Sequence, residues 1–324
     1  MARLHYTPVL LLGLLACQHR GSATNGPSDP AAPSASAAQA STQSPAPQPR
    51  RVHEWTTGLA QPESMLWDEA GDRYLVSNID GVPSEADGKG YIATLAPDSD
   101  EPPVPFIVSG KPGPDGKPVT LDAPKGMALV GDLLYVADLT RVRRFELKTG
   151  NARGAIDVPG ATFLNDVAAA PDGRVFVSDT GVRATPSGME GTGTDAIWEV
   201  SGERPVALLR GPELQRPNGL LWTPQGLLVV PLGGKTVMRL SADGKLSTLA
   251  TLPTGSLDGI VAVGEDWLIS SWEGKCVYRG SVERPFTVLL ANQTSPADLG
   301  WDARRKRLLV PHLAENRVEA WQMP

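Results

Sequence analysis

Two carboxylates and two carboxamides, Glu63, Asn165, Asn218 and Asp258, occupy the same place in a unit that recurs along this 324-residue chain. All four offer hard oxygen donors, and no His or Cys stands among them. Such a set suits Ca²⁺ and accommodates Mg²⁺, and it is wrong for structural zinc or copper. Two carboxylates balance one divalent cation, with waters filling the remaining positions. Asn-Gly, Asp-Gly and Asn-Asp are also ordinary turn dipeptides, which accounts for three of the four residues without any metal. Glu63 is a poor turn residue and has no such account. The same series continues through Lys125 and Ala297, with Ser64, Asp166 and Asp298 as close neighbours. A second series, Asn78, Asp138, Asp179, Leu232, Trp272 and His312, follows the first by 13 to 15 residues each time.

The elements that must position these residues are read from the repeat itself. Its first lines are Glu63 to Trp67, Lys125 to Leu129, Asn165 to Ala169, Asn218 to Trp222, Asp258 to Ala262 and Ala297 to Trp301, in steps of 62, 40, 53, 40 and 39 residues. Each apolar triplet leads through a polar hairpin, clearest at Pro171-Asp172-Gly173, into a second strand such as Val175 to Asp179. Third and fourth strands follow. Four strands about every forty residues, six times over, describe an all-β fold, a six-bladed β-propeller. The sixth unit stops after three strands, and the strand-like segment from Arg51 to Thr57 is predicted to close the ring as its fourth. With 34 Gly and 30 Pro, the chain is punctuated too often for long helices. In a propeller the first strands line the central channel, so the first series forms an inner ring at one mouth and the second an outer ring. The insertions Ile79 to Lys89 and Thr180 to Thr194 fall at that mouth too, as lids or as tolerated loops. Cys276 reads as a small core residue of the fifth unit.

Ahead of the repeat lie an address and a tether. Arg3 and His5 precede an apolar run from Pro8 to Ala16 that is too short to span a bilayer and suits a signal-peptide core. Leu14-Leu15-Ala16-Cys17 resembles a bacterial lipobox, which makes residues 1–17 a signal peptide and Cys17 the acylated terminus; the alternative is a secretory signal cleaved elsewhere. Residues 18–50, rich in Ala, Ser and Pro, have too little apolar bulk to fold and read as a disordered spacer before a 51–324 propeller. The expected location is the bacterial cell envelope, lipid-anchored at the outer membrane, so the membrane is a partner only through that anchor. With 36 acidic against 30 basic side chains and a net charge of −6, the chain has no basic stripe for nucleic acid. A closed ring leaves few sticky edges, so the expected state is a monomer.

Pro62-Glu63-Ser64-Met65-Leu66-Trp67, Leu164-Asn165-Asp166, Pro217-Asn218-Gly219-Leu220 and Leu257-Asp258-Gly259 resemble the senescence-marker-protein/gluconolactonase (regucalcin-like) family. The resemblance spans about residues 55 to 321. It implies a six-bladed propeller whose divalent metal, calcium first and magnesium, manganese or zinc as alternatives, is held by Glu63, Asn218 and Asp258, with Asn165 beside them. It further implies hydrolysis of a small lactone or ester, with Asp258 as the base. The chain departs from the pattern at Phe163, where sugar-lactone members carry Arg, and at Lys125, a cation the pattern does not require. Lys125 binds a substrate carboxylate or oxyanion, or pairs with Glu63 or Asp166. His312 is a lone general acid or base, or a hydrogen-bonded wall residue. Phe163 and Trp272 suggest a fairly apolar substrate pocket, with Asp166, Asp138, Asp179 and Asn78 as further contacts. The competing reading is a propeller that does no catalysis, keeps a structural metal and binds a ligand or protein.

Overall fold

The computed structural model describes residues 47–113, 115–202 and 204–324; the signal peptide, Cys17 and most of the spacer lie outside them. Strand β1 (Arg50–Trp55) comes first. Blade 1 is built of β2 (Pro62–Asp68), β3 (Arg73–Asn78), β4 (Tyr91–Leu95) and β5 (Val104–Val108). Blade 2 contains β6 (Pro124–Val130), β7 (Leu133–Asp138), β8 (Arg141–Glu146) and β9 (Ala152–Asp157). Blade 3 contains β10 (Leu164–Ala169) and β11 (Val175–Asp179), then a separate hairpin of β12 (Val182–Thr185) and β13 (Gly188–Gly191), then β14 (Ala196–Glu199) and β15 (Val206–Arg210). Blade 4 runs through β16 (Pro217–Thr223), β17 (Gly226–Pro231), β18 (Thr236–Leu240) and β19 (Leu246–Thr251). Blade 5 runs through β20 (Leu257–Val263), β21 (Asp266–Ser271), β22 (Cys276–Gly280) and β23 (Thr287–Leu290). Blade 6 holds β24 (Gly300–Asp302), β25 (Arg307–His312) and β26 (Arg317–Gln322), and β1 pairs antiparallel with β26 as its outermost strand. The fold is an all-β six-bladed propeller; among the described residues the one helical element is a single 3₁₀ turn, Pro212–Leu214.

Six apolar clusters fill the six interfaces between successive blades. Leu75 and Ile92 meet Leu134 and Val136 between blades 1 and 2. The set closes where Leu309 and Val318 meet Tyr74 and Val76 between blades 6 and 1. Successive residues of one second strand serve opposite interfaces: Val175 and Val177 face blade 2, and Phe176 faces blade 4. A strand buried on both faces needs a continuous apolar run and not alternation, which is why these segments read as they do. Cys276 packs in the cluster between blades 4 and 5.

The first strand of blade 6 is shorter than the repeat predicts. At Asp298 the chain leans away from the sheet, with Asp298 N–H donating to Glu63 O at 2.9 Å and Asp298 O accepting from Met65 N–H at 3.4 Å. Here the last unit pairs in parallel with the first strand of blade 1 at Ser64 and Asp298, while Ala297 N–H just before it still donates to Pro311 O of its own second strand at 3.0 Å. Such a contact ties the end of the ring to its beginning.

Candidate functional site

Every inner-ring residue of blades 1 to 5 sits in a β-bulge. The register of the first strand slips between Pro62 and Ser64, Pro124 and Met127, Leu164 and Val167, Pro217 and Leu220, and Leu257 and Ile260. Within those slips lie Glu63, Lys125, Asn165, Asn218 and Asp258. A bulge leaves its extra residue unpaired and re-aims the side chain. Second-strand serines take up the freed amides: Ser77 Oγ accepts from Ser64 N–H at 2.9 Å, Ser178 Oγ from Asp166 N–H at 3.0 Å, and Ser270 Oγ from Gly259 N–H at 2.8 Å.

The bulges also decide between turn and ring. Asn165-Asp166, Asn218-Gly219 and Asp258-Gly259 lie inside β10, β16 and β20, so turn chemistry does not explain them. The glycines are there for space. A Cβ on Gly219 would lie 2.1 Å from Asp258 O, and one on Gly259 would lie 2.3 Å from Leu299 N. Neighbouring first strands press together here, as they must around a narrow channel.

All the ring side chains are buried, Lys125 to 1% exposure and the oxygen donors to 3–5%. Three of those oxygens, Glu63 Oε2, Asn165 Oδ1 and Asp258 Oδ1, have no hydrogen-bond donor. Buried acceptors are seldom left so. Two of the three residues are engaged through their other atoms: Asp258 Oδ2 accepts from the Trp272 indole N–H at 2.7 Å, and Asn165 Nδ2 donates to Thr180 Oγ1 at 3.0 Å. Among the described residues no three His, Cys, Asp or Glu side chains form a metal-holding group. A cation at this ring would therefore depend on Asn165 and Asn218 as well as on the two carboxylates. Oxygen donors alone, three of them unsatisfied, fit a hard divalent cation.

Charge is crowded along the channel. Burial first, and then the Asp298 carboxylate, pushes Asp258 up to about 8. Asp298 itself is pushed up to about 7 by burial, although Ser64 Oγ donates to it at 2.5 Å. Burial, with Asp258 and Asp298 adding to it, raises Glu63 well above the usual carboxylate range. Asp166 rises likewise from burial and Asp298, while the amides of Val167 and Leu220 donate to it, both at 2.6 Å. Lys125 is pushed down to about 8, again chiefly by burial. Its Nζ donates to Ala123 O at 2.9 Å and stands 4.2 Å from the centroid of the Phe163 ring.

Trp272 joins the inner ring because the outer series slips in two blades. The partners of Pro217 and Leu257 are Pro231 and Ser271, so Leu232 and Trp272 stand one residue past the register position. The other outer-ring side chains hold loops. Asn78 Oδ1 accepts from Ala60 N–H, and Asp138 accepts from the amides of Asp122 and Ala123 and from Arg143. Asp179 accepts from the amides of Thr162, Phe163 and Gly181. His312 is fully buried, with Nδ1 at 2.8 Å from Thr294 O and Nε2 at 3.1 Å from Glu319 Oε2. Glu319 in turn accepts from Arg51 of β1, Arg317 and Trp321. His312 thus belongs to the clasp between the terminal strands.

Both insertions lie over the ring-bearing mouth, since each joins a second strand to a third. They meet there: Ala184 N–H of β12 donates to Ser84 Oγ of the 79–90 loop at 3.1 Å, linking blades 3 and 1 across blade 2. The hydroxyls of Thr162, Thr192 and Thr194 lie within 3.0 Å of one another at the base of the hairpin. At the opposite mouth a cavity of about 350 Å³ is lined by Leu66, Trp67, Leu221 and Trp222, with Asp166 and Asp298 on its wall. The larger cavity of about 440 Å³, at Arg174, Phe176 and Trp222, also lies on that far side.

No protein-family model matches the chain, and no curated protein matches it. Solved structures do. A gluconolactonase from Xanthomonas campestris is 18% identical, with a TM-score of 0.61 over 82% of this chain and 87% of that one. Catalytically inactive virginiamycin B lyase from Staphylococcus aureus with quinupristin is 13% identical, with a TM-score of 0.60 over 86% of this chain and 99% of that one. A luciferin-regenerating enzyme is 13% identical, with a TM-score of 0.59 over 83% and 93% of the two chains. The chain is similar to all three in fold, gluconolactonase included.

Proposed function

We propose that the chain hydrolyses lactones or esters at the ring-bearing mouth of the channel. In this reading a divalent cation, calcium first, is held by Glu63, Asn218 and Asp258 with Asn165 beside them. One observation carries it: three buried oxygens of one ring, on three different blades, lack any donor. When bound, the cation supplies a Lewis acid for the substrate carbonyl. Asp258 does the proton work. Its Oδ2 is fixed by the Trp272 indole, so Oδ1 would face the cation with one lone pair and take a proton from the attacking water with the other. The water oxygen bonds to the carbonyl carbon, the C–O bond of the ester breaks, and the proton passes from Asp258 to the departing alkoxide. The bridged insertions above limit access of bulk water.

The test is turnover of a lactone and ester panel by the full chain, stripped by chelator and reloaded with calcium. Asp258→Asn is expected to lower kcat by a factor on the order of 10²–10⁴. Turnover that ignores both the chelator and the substitution would refute the proposal. The 3–5% exposure of the ring favours one alternative, a cation that only staples the channel of a binding protein. Calcium-dependent stabilisation with no turnover across the panel would establish that alternative. For the residues before the propeller we propose export and acylation at Cys17, giving a monomer tethered to the cell envelope. Failure of a labelled fatty acid to incorporate, or incorporation that survives Cys17→Ser, would sink it.

A further inference from the structure

Lys125 is the one cation among the five bulged residues of the ring, and the proposed chemistry leaves it idle. Its ammonium is buried to 1% exposure, yet no ion pair to it closes within 4.0 Å among the described residues. Burying a charge without a partner is costly, and native interiors avoid it. Two carboxylates act on Lys125, Glu63 first and then Asp138, and both have other work: Glu63 belongs to the proposed cation set. Asp138 is spent on two backbone amides and on Arg143 Nε at 2.8 Å. Phe163 covers one side of the ammonium and Ala123 O takes one of its three donors. A donor therefore remains on a cation that lies in the same ring as the unsatisfied oxygens. Blade 2, which carries Lys125, is also the blade that the contact between Ser84 and Ala184 bridges.

The mouth then has two poles. Glu63 and Asp258 together balance one divalent cation, and Asp166 and Asp298 are held by the amides of Val167 and Leu220 and by the Ser64 hydroxyl, so no carboxylate of the channel pairs with Lys125. One monovalent anion would neutralise it. Lysine meets oxyanions as a point charge, and with a single donor remaining it suits one carboxylate oxygen better than a phosphate with several to satisfy. We infer that Lys125 anchors a carboxylate of the substrate, so that the substrates are lactones or esters bearing a free carboxylate near the reacting carbonyl. The substrate part of this inference rests on the hydrolase reading above.

The experiment compares two matched lactones, γ-butyrolactone and 5-oxotetrahydrofuran-2-carboxylate, on the calcium-loaded full chain and on Lys125→Met and Lys125→Arg. The native chain is expected to prefer the carboxylate-bearing lactone. Lys125→Met should raise KM for that lactone and cut the preference by about tenfold to a hundredfold, the range of a charge-assisted hydrogen bond. Lys125→Arg should restore part of it. A native chain without preference, or an equal loss on both lactones as an oxyanion-stabilising lysine would give, overturns the inference. Should Lys125→Met fail to fold, the native chain alone decides. Tetrahydrofuran-2-carboxylate is expected to raise its Tm where tetrahydrofurfuryl alcohol does not, and an equal response to the two overturns the inference. Carboxylate binding without hydrolysis of any lactone refutes the hydrolase and leaves the anion site standing. Hydrolysis with no carboxylate preference does the reverse.

Discussion

Chelated protein should lose stability as the pH rises, and Asp258→Asn should remove one carboxyl's share of that loss. Asp258 is pushed up to about 8 and Asp298 to about 7, both chiefly by burial. In the unfolded chain an Asp gives up its proton near 3.9. Between those limits the cation-free folded state holds protons that the unfolded state has released. Stability is therefore full below the unfolded value and drains as the pH climbs through the folded one, by about 1.4 kcal/mol per unit for each such carboxyl. From pH 5 to 7, Asp258 alone contributes a loss of about 3 kcal/mol, or roughly 6–12 °C in Tm at this chain size. Calcium in place of the protons reverses the trend, adding roughly 2.7 kcal/mol at a hundredfold excess over its Kd. Calorimetric melts in EGTA and in calcium across that range make the measurement. A chelated Tm that is flat or rises with pH refutes the reasoning, as does an Asp258→Asn variant with the native slope.

Two further outcomes follow from the geometry. Burial alone would raise Glu319, but donors from His312, Arg51 and Trp321 outweigh it and hold the carboxyl at about 2. Its stabilisation is present above about 4.5 and lost as the pH falls toward 2, so the deficit of Glu319→Gln, about 3 kcal/mol at pH 6, should close in acid; a deficit that stays constant in urea titrations from pH 6 to 2.5 would contradict this. Gly219→Ala would set a Cβ 2.1 Å from Asp258 O, whereas Gly202 has nothing within 4 Å. The first should cost about 1–3 kcal/mol and blunt the calcium response, and Gly202→Ala should stay within about 0.5 kcal/mol; equal melting of the two variants would discount the crowded channel.

The architecture was legible because it repeats. A forty-residue period with a polar residue before each apolar triplet cannot be arranged many ways, and the structure returns six blades from it. The outer series was not legible in the same sense. A polar residue at the end of a second strand reads alike whether it faces a ligand or caps the loop beside it, and Asn78, Asp138 and Asp179 all cap loops. Trp272 was found by a count that is one residue off, because Ser271 holds the register position. His312 lost its apparent availability to Glu319, which lies on the next strand and gives no local signal. The bulges could have been inferred. Gly126, Gly219 and Gly259 each follow a ring residue within a strand pattern, and glycine there marks a bulge or a close backbone approach.

What the fold leaves open, the ring decides. The similar structures include a gluconolactonase and a lyase at TM-scores of 0.61 and 0.60, so the arrangement of blades does not select a reaction. Selection falls to five bulged positions whose backbone is the same in every blade and whose side chains differ. Because each bulge presents one side chain to the mouth, exchanging that side chain changes the chemistry there without moving a strand. Lys125 in blade 2 is such an exchange, and Phe163, which precedes β10 of blade 3, reaches it from outside the bulges. The cation and the aromatic face meet at 4.2 Å. Position in the repeat picks out each residue but not the contact, since the pair is formed by side chains from two blades.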